Sequence, residues 1–118
     1  MEYETHNHRH VNSNFTSLQG YVKANFQLLV GLFGPPHDGD VYKTDWEWDI
    51  EFDDGTVATI YNWKNGPNYG YQGRTPDDVT EWHVGGHTPQ ALENVQRLLL
   101  TRRWLLGRLE NVQRLLDS

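Results

Sequence analysis

The strongest structural signal in the chain is the run DWEWDIEFDDGTVATIYNWK, which occupies residues 45–64. In its first half, large apolar side chains alternate with carboxylates, and this period of two predicts a strand with one buried and one solvated face. Residues 56–64 continue as β-branched and aromatic residues, so the whole run predicts a β-hairpin. The alternating apolar residues are Trp46, Trp48, Ile50 and Phe52.

The turn between the two strands decides which side chains share a face. Asp54-Gly55 is the pair preferred in a two-residue type I′ turn, which makes paired residue numbers sum to 109. Phe52 then lies opposite Val57, and Asp45 lies opposite Lys64. We expect one face of the hairpin to carry Trp46, Trp48, Ile50, Phe52, Val57, Thr59, Tyr61 and Trp63.

Two further elements are predicted before the hairpin. Ser17–Val22 alternates loosely and indicates a short strand with Gly20 at a bulge. Asn25 is a good N-cap for a helix over Phe26–Phe33, which the following Gly-Pro-Pro ends. The alternative is one helix over Thr16–Phe33 with Gly20 inside it; we prefer the strand.

Two elements are also predicted after the hairpin. Val79–Val84 indicates a strand that Gly85-Gly86 ends, and Thr88 with Pro89 begins a second helix. The prediction is an α+β domain, in which a small antiparallel sheet of three to four strands carries both helices on one face.

The start of the chain differs from the domain predicted over residues 13–99. Residues 1–12 lack periodicity and are predicted to form a flexible segment. They carry His6, His8 and His10, whose alternation would put three imidazoles on one face of a strand, within reach of a metal ion. A mobile segment is a poor preorganised site, so we predict no metal there.

Residues 100–118 are predicted to form a helical extension that contains a duplication. The octapeptide LENVQRLL occurs at 92–99 and again at 109–116. Because residues of a helix turn by about 100° each, the second copy faces about 100° away from the first, and Gly107 between them is a candidate break. The apolar second copy needs cover from the domain or from another subunit, and we expect a homo-oligomer through these helices. An appended segment without function is the alternative.

Composition excludes several classes of function. The 118 residues carry 16 Asp and Glu against 10 Lys and Arg, a formal charge of −6, which argues against a nucleic-acid partner. No stretch approaches the ~18 apolar residues needed to cross a bilayer, so no membrane partner is expected. The chain has no cysteine, which excludes disulfides, thiol nucleophiles and cysteine-ligated metals.

The residue types favour binding over catalysis. No serine lies between Ser17 and Ser118, so the predicted sheet and loops offer no serine nucleophile. His83 and His87 have the spacing of a helical zinc motif, but the Gly-Gly pair between them prevents that helix. We therefore predict a protein that is not an enzyme and that needs no cofactor.

A candidate binding site lies where rings, amides and cations follow the predicted strand ends. Rings can stack on a base, and cations can hold an anionic group. Residues 65–78 form a Gly- and Pro-rich loop long enough to be functional, and Gly85-Gly86 lets backbone N–H groups approach a ligand near a helix N-terminus. The candidate residues are Lys43, Thr44, Tyr61, Trp63, Lys64, Asn65, Tyr69, Tyr71, Arg74, Trp82, His83, Gly85, Gly86 and His87. The alternative is that some of these rings, Trp63 among them, fill the core.

Three segments carry a resemblance: GDVYKTDWEW at 39–48, FDDGTVATIYNWK at 52–64 and WHVGG at 82–86. With the LV and FGP of the first predicted helix, they resemble a group of short bacteriophage-encoded proteins of unassigned function. The similarity spans about residues 16–99 and includes neither the three histidines nor the second octapeptide. It implies a phage protein of the host cytoplasm that acts in host takeover or counter-defence.

These observations lead to one functional hypothesis and two alternatives. The first is a non-enzymatic phage protein that sequesters a small anionic, nucleotide-like ligand in an aromatic pocket, which requires a hollow beside Lys64 or His83. The second is an acidic protein that inhibits a host defence enzyme through the carboxylates of residues 45–53, in the manner of a nucleic-acid mimic. The third is a hydrolase that depends on His83, His87 or the N-terminal histidines.

Overall fold

The computed structural model describes residues 1–39 and 43–117 and shows an α+β fold with one antiparallel sheet and two helices. The predicted class is confirmed. Asp40, Val41 and Tyr42, which belong to the first segment of the resemblance, lie outside the described residues. The elements are β1 (Tyr3–Thr5), β2 (Ser17–Lys23), α1 (Phe26–Phe33), β3 (His37–Asp38), β4 (Trp46–Phe52), β5 (Val57–Tyr61), β6 (Glu81–Gly86) and α2 (Gln90–Asp117).

The sheet has six strands, so the prediction of three to four is wrong. Its order is β1-β4-β5-β6-β2, and β3 also pairs with β4, so that β1 and β3 lie one after the other along the same edge of β4. The two unpredicted strands have three and two residues, too few to show an alternating pattern. β1 lies inside the segment that the sequence predicts to be flexible.

The hairpin forms as predicted, but its register differs by one residue. Trp48 lies opposite Ile60 and Ile50 opposite Ala58, so paired numbers sum to 108. The loop has three residues and ends on Gly55, whose φ of 87° is left-handed; its N–H donates to the carbonyl of Phe52 at 2.9 Å. The shift turns the odd-numbered residues of β5 away from the core face. The prediction that Val57, Thr59, Tyr61 and Trp63 share a face with the apolar residues of β4 is therefore wrong.

The core explains why this register is preferred. It buries Ala58 and Ile60 completely, whereas the predicted register would bury a threonine and a tyrosine in their place. Trp48 and Trp82 pack at its centre with ring centroids 5.3 Å apart. Their indole N–H groups donate to the carbonyls of Gly34 (2.8 Å) and Ala24 (3.0 Å), so neither buried donor is left unpaired. Both helices contribute to this core through Leu29, Phe33, Ala91, Val95 and Leu99.

The elements around the hairpin agree in part with prediction. The bulge in β2 falls between Leu18 and Gly20, and the Asn25 side chain caps α1 by accepting from Leu28 N at 2.7 Å, so the alternative single helix is wrong. The last strand does not end before Gly85-Gly86 but includes both residues. Gly86 instead permits close packing, because a Cβ atom there would overlap the Cβ of Ala91.

α2 is one continuous helix of 28 residues, so the predicted break at Gly107 is wrong. A single glycine costs a helix only about 1 kcal/mol relative to alanine, and its neighbours are mostly good helix formers. Nearly all residues after Leu99 are exposed, because the helix extends beyond the sheet that covers its first three turns. Among the described residues, no helix is both long and apolar enough to span a membrane.

Adding a methyl group at Gly86 should destabilise the fold. We expect Gly86→Ala to lower the free energy of unfolding by about 1–3 kcal/mol, because α2 must move away from β6. Gly107→Ala is the matched control: no atom lies within 4 Å of the new Cβ, and helix propensity favours alanine. Urea denaturation followed by circular dichroism measures both. Equal stability of Gly86→Ala and wild type would contradict this packing.

Candidate functional site

The antiparallel register aligns one outward-facing residue from each of five strands in a row across the sheet. The row runs from Tyr21 on β2 through His83 on β6, Tyr61 on β5 and Glu47 on β4 to His37 on β3. The first three rings touch in sequence, with centroids 4.8 Å apart for Tyr21 and His83 and 5.5 Å apart for His83 and Tyr61. This face of the sheet, opposite the helices, is therefore aromatic at one end and polar at the other.

Trp63 extends the aromatic end of the row. Its ring stacks on His83 with centroids 6.1 Å apart and an interplanar angle of 25°, and the side chain is 38% exposed. The Nζ atoms of Lys43 and Lys64 lie 5.4 Å and 5.8 Å from the centroid of the indole, within the range of cation–π attraction. We call Tyr21, Tyr61, Trp63 and His83 the aromatic surface.

A buried amide holds the strand ends that carry the two lysines. Asn62 is fully buried; its Oδ1 accepts from the backbone N–H groups of Asp45 (2.8 Å) and Trp46 (3.0 Å), and its Nδ2 donates to Asp45 Oδ2 (2.9 Å). The N–H of Lys64 donates to the carbonyl of Lys43 at 2.8 Å. The two lysines are thus fixed beside Trp63 by the backbone.

A cavity of about 380 Å³ opens beside Trp63. The sheet forms its floor, and the segment that precedes β2 forms one wall. Its volume is within the range of small-molecule sites, about 300–1,000 Å³. It is lined by Ser13, Asn14, Phe15, Thr16, Thr44, Glu47, Thr59, Tyr61 and Trp63.

Burial shifts the pKa values of two rings of the aromatic surface, His83 and Tyr61, toward their neutral forms. It lowers the pKa of His83 below its ordinary value, although Glu81 opposes the shift. It also raises the pKa of Tyr61, and the nearby Glu47 and Tyr21 raise it further. At neutral pH the surface therefore offers an uncharged imidazole and a phenol that can donate a hydrogen bond.

The structure brings together about half of the predicted site residues. Tyr61, Trp63 and His83 are in ring contact, and the cations and the cavity wall adjoin them. Lys64 also lies 5.7 Å from the ring of Tyr69. The grouped residues are Lys43, Thr44, Tyr61, Trp63, Lys64, Tyr69 and His83.

The loop that follows holds three more of the predicted residues in a separate arrangement. Arg74 stacks on Tyr71 at 5.0 Å and donates to the carbonyl of Asn65 at 3.1 Å. Asn65 also accepts from the buried Asn62 at 3.1 Å. These contacts shape the loop and do not point into the cavity beside Trp63.

Four predicted residues lie away from this surface. Trp82 is fully buried in the core. Gly85 and Gly86 are paired with β5 on one side and β2 on the other, so their backbone groups are engaged in the sheet. His87 follows Gly86 at the far end of β6, about 13 Å along the strand direction from His83.

Sequence reasoning missed Tyr21 and the cavity wall at residues 13–16. Tyr21 faces outward because the bulge at Gly20 shifts the alternation of β2. The bulge itself is readable from the sequence, but the pairing of Tyr21 with His83 is not. Phe15, with a left-handed φ of 64° and 97% of its surface exposed, carries no sequence signal for the turn it forms.

The acidic stripe of residues 45–53 is not a continuous solvated face. Asp45 and Asp49 are buried, and Asp45 accepts from the N–H of Asn68 at 2.8 Å as well as from Asn62. Glu51 is paired with Arg9. Most of these carboxylates thus hold the fold together and are not free to imitate phosphates.

Acidification should destabilise the fold through His83. Because its folded pKa is below the ordinary value of 6.5, the unfolded chain binds protons that the folded chain does not. The stability that depends on neutral His83 is therefore fully present above about pH 6.5, and it is lost as the pH decreases below that value. We expect the Tm of His83→Gln to fall less than that of wild type between about pH 7.5 and about pH 5.5.

His87→Gln, on an exposed side chain, is the control and should keep the wild-type dependence. Burial also lowers the pKa of His6, so His83→Gln should keep part of the dependence. Parallel curves of Tm against pH for wild type and His83→Gln would contradict a lowered pKa of His83 in the folded chain.

Comparison with known proteins finds no relative of this chain. No family model matches the chain, and neither the curated proteins nor the solved structures include a match to it.

Proposed function

We propose that this chain is a non-enzymatic binding protein that holds a small anionic, nucleotide-like ligand on the aromatic surface. The observation that carries the proposal is the exposed indole of Trp63 with two lysine ammonium groups less than 6 Å from its centroid, at the mouth of a cavity. A flat hydrophobic ring beside two cations matches a ligand that has a flat ring beside an anion.

The base is expected to stack on Trp63. One face of this indole rests on His83, which leaves the rest of the ring accessible for stacking. Base–aromatic stacking contributes about 1–3 kcal/mol per base. Since burial keeps His83 neutral, the base rests on an uncharged pair of stacked rings.

The anionic group is expected at Lys43 and Lys64. Their backbones are joined by a hydrogen bond, so both ammonium groups approach the same ring from neighbouring positions. The chain as a whole is acidic, with a formal charge of −6, so the lysines form a local cationic point in a field that disfavours long polyanions. This favours a small ligand over a nucleic acid.

The biological role that we attach to this binding is sequestration. The resemblance to phage proteins suggests a counter-defence factor in the host cytoplasm that removes a signalling nucleotide. Binding alone accomplishes this, and no step of chemistry is required of the surface.

Loss of the Trp63 ring should abolish most of the affinity. We expect isothermal titration against cyclic and linear nucleotides to find at least one ligand, and Trp63→Ala to weaken it by roughly 5- to 150-fold, as expected for one lost stack. Lys43→Gln with Lys64→Gln should also weaken it and reduce its salt dependence. Trp104→Ala is the matched control, because this indole is also exposed and has a cation, Arg108, 4.9 Å from its centroid.

Flat titrations for every nucleotide, or an equal loss of affinity in Trp104→Ala, would reject the proposal. The alternative, inhibition of a host enzyme through the acidic stripe, would then gain support. It is less favoured here because Asp45, Asp49 and Glu51 are engaged within the chain.

We also propose that the end of α2 pairs with the same segment of a second copy. Leu105, Leu109, Val112 and Leu116 are 45–74% exposed and follow the 4-3-4 spacing of a coiled-coil seam. An antiparallel partner pairs these residues with one another, Leu105 with Leu116 and Leu109 with Val112 of the other copy.

A charge at the centre of this seam should separate the copies. We expect light scattering after size exclusion to give twice 13.8 kDa for wild type and 13.8 kDa for Leu109→Glu. Leu100→Glu is the control, because nine residues at about 100° each place Leu100 on the opposite side of the helix. A monomeric wild type would contradict the pairing.

A further inference from the structure

Three side chains from neighbouring strands converge at the polar end of the row that runs across the sheet from Tyr21 to His37. His37 on β3 and Glu47 and Asp49 on β4 each place a ligand atom within 4.8 Å of the other two. His37 Nε2 is 2.9 Å from Asp49 Oδ2 and 3.5 Å from Glu47 Oε2. Among residues 1–39 and 43–117, this is the group of His and carboxylate side chains whose geometry suits a metal ion.

The contacts of His37 direct its Nε2 atom at the two carboxylates. Its Nδ1 lies 2.8 Å from the carbonyl oxygen of Asp38, which can only accept, so Nδ1 donates. In a neutral imidazole, Nε2 then carries a lone pair, and the oxygens of Asp49 and Glu47 also present lone pairs. A positive charge between them is required, supplied either by a proton on Nε2 or by a metal ion.

Asp49 supplies a second, independent observation. The residue is 9% exposed and its side chain 13%, and its Oδ1 atom is buried with no hydrogen-bond partner among the described residues. A buried carboxylate oxygen without a partner is costly, since it loses its hydration and gains nothing in return. The described side chains therefore give a partner to Oδ2 of this carboxylate, which contacts His37, and none to Oδ1.

We propose that His37, Glu47 and Asp49 form a binding site for a divalent transition metal, with Zn²⁺ the preferred ion. Donors about 2.1 Å from a tetrahedral zinc lie about 3.4 Å apart, close to the His37–Glu47 separation. The imidazole disfavours Mg²⁺ and Ca²⁺, which prefer oxygen donors. A histidine whose other nitrogen donates to a backbone carbonyl is the usual arrangement of a metal ligand.

His6 forms a wall of this site and is not a fourth ligand. Its Nδ1 accepts from the N–H of Asp49 at 3.4 Å, and its Nε2 donates to the carbonyl of Pro35 at 3.0 Å. Its ring stands at 88° to that of His37, with centroids 4.7 Å apart. The fourth position is therefore left to water or to a ligand.

Of the histidines considered in the sequence, His6 contributes a wall to this site and none contributes a ligand. His8 and His10 are exposed on the N-terminal segment, and His83 belongs to the aromatic surface. The metal site is also tested separately from nucleotide binding, because the titration uses a metal ion and no nucleotide.

Titration of the metal-free full chain with ZnCl₂ provides the test. We expect one Zn²⁺ per chain with a dissociation constant in the micromolar range or below, and a Tm that rises with Zn²⁺ and returns to its starting value with EDTA. His37→Gln should weaken the affinity by at least about 10-fold and remove the rise in Tm. His10→Gln, at an exposed histidine of the N-terminal segment, is the matched control and should bind as wild type does.

Asp49→Asn is the second variant, and its stability is compared in EDTA to show that it folds. With Co²⁺ as the probe, wild type should give the visible d–d absorption of a tetrahedral site, and both variants should lose it. The proposal is overturned if wild type binds no Zn²⁺ stoichiometrically, or if His37→Gln binds as tightly as wild type.

Discussion

The register of the β4–β5 hairpin, in which paired residue numbers sum to 108, is the constraint on which the rest of the structure depends. It pairs Trp48 with Ile60 and Ile50 with Ala58, which gives the sheet an apolar centre on its inner face for the two helices. The same register turns Tyr61 outward beside Glu47. A slip to the two-residue turn would exchange these faces, so the core and the outer surface are decided together.

The outer face combines two chemistries in one row of residues. Aromatic rings from β2, β6 and β5 lie at one end, and the His37 cluster on β3 and β4 lies at the other. Glu47 is common to both, because it lines the cavity beside Trp63 and contacts His37. A ligand on Trp63 and a metal at His37 would therefore be neighbours on the same rigid sheet, although each is proposed on separate observations.

The arrangement of rings shows why exposure and burial must be judged residue by residue. Trp82 and His83 are adjacent on β6, yet Trp82 packs in the core against Trp48 and His83 supports Trp63 on the surface. Likewise, the first LENVQRLL copy packs on the sheet while the identical second copy, on the same helix, is exposed. The helix turns the second copy away and extends past the sheet, so position and not composition decides what each copy does.

The sequence by itself determined the α+β class, the hairpin, α1 with its Asn25 cap, and the bulge at Gly20, because periodicity, capping and turn residues act within a few positions of each other. It also named the rings and lysines now found beside Trp63. The tertiary structure alone decided the three-residue turn, the two short edge strands and the meeting of His37 with Asp49. These depend on which pairing fills the core best, and that is a competition between distant segments which no local pattern encodes.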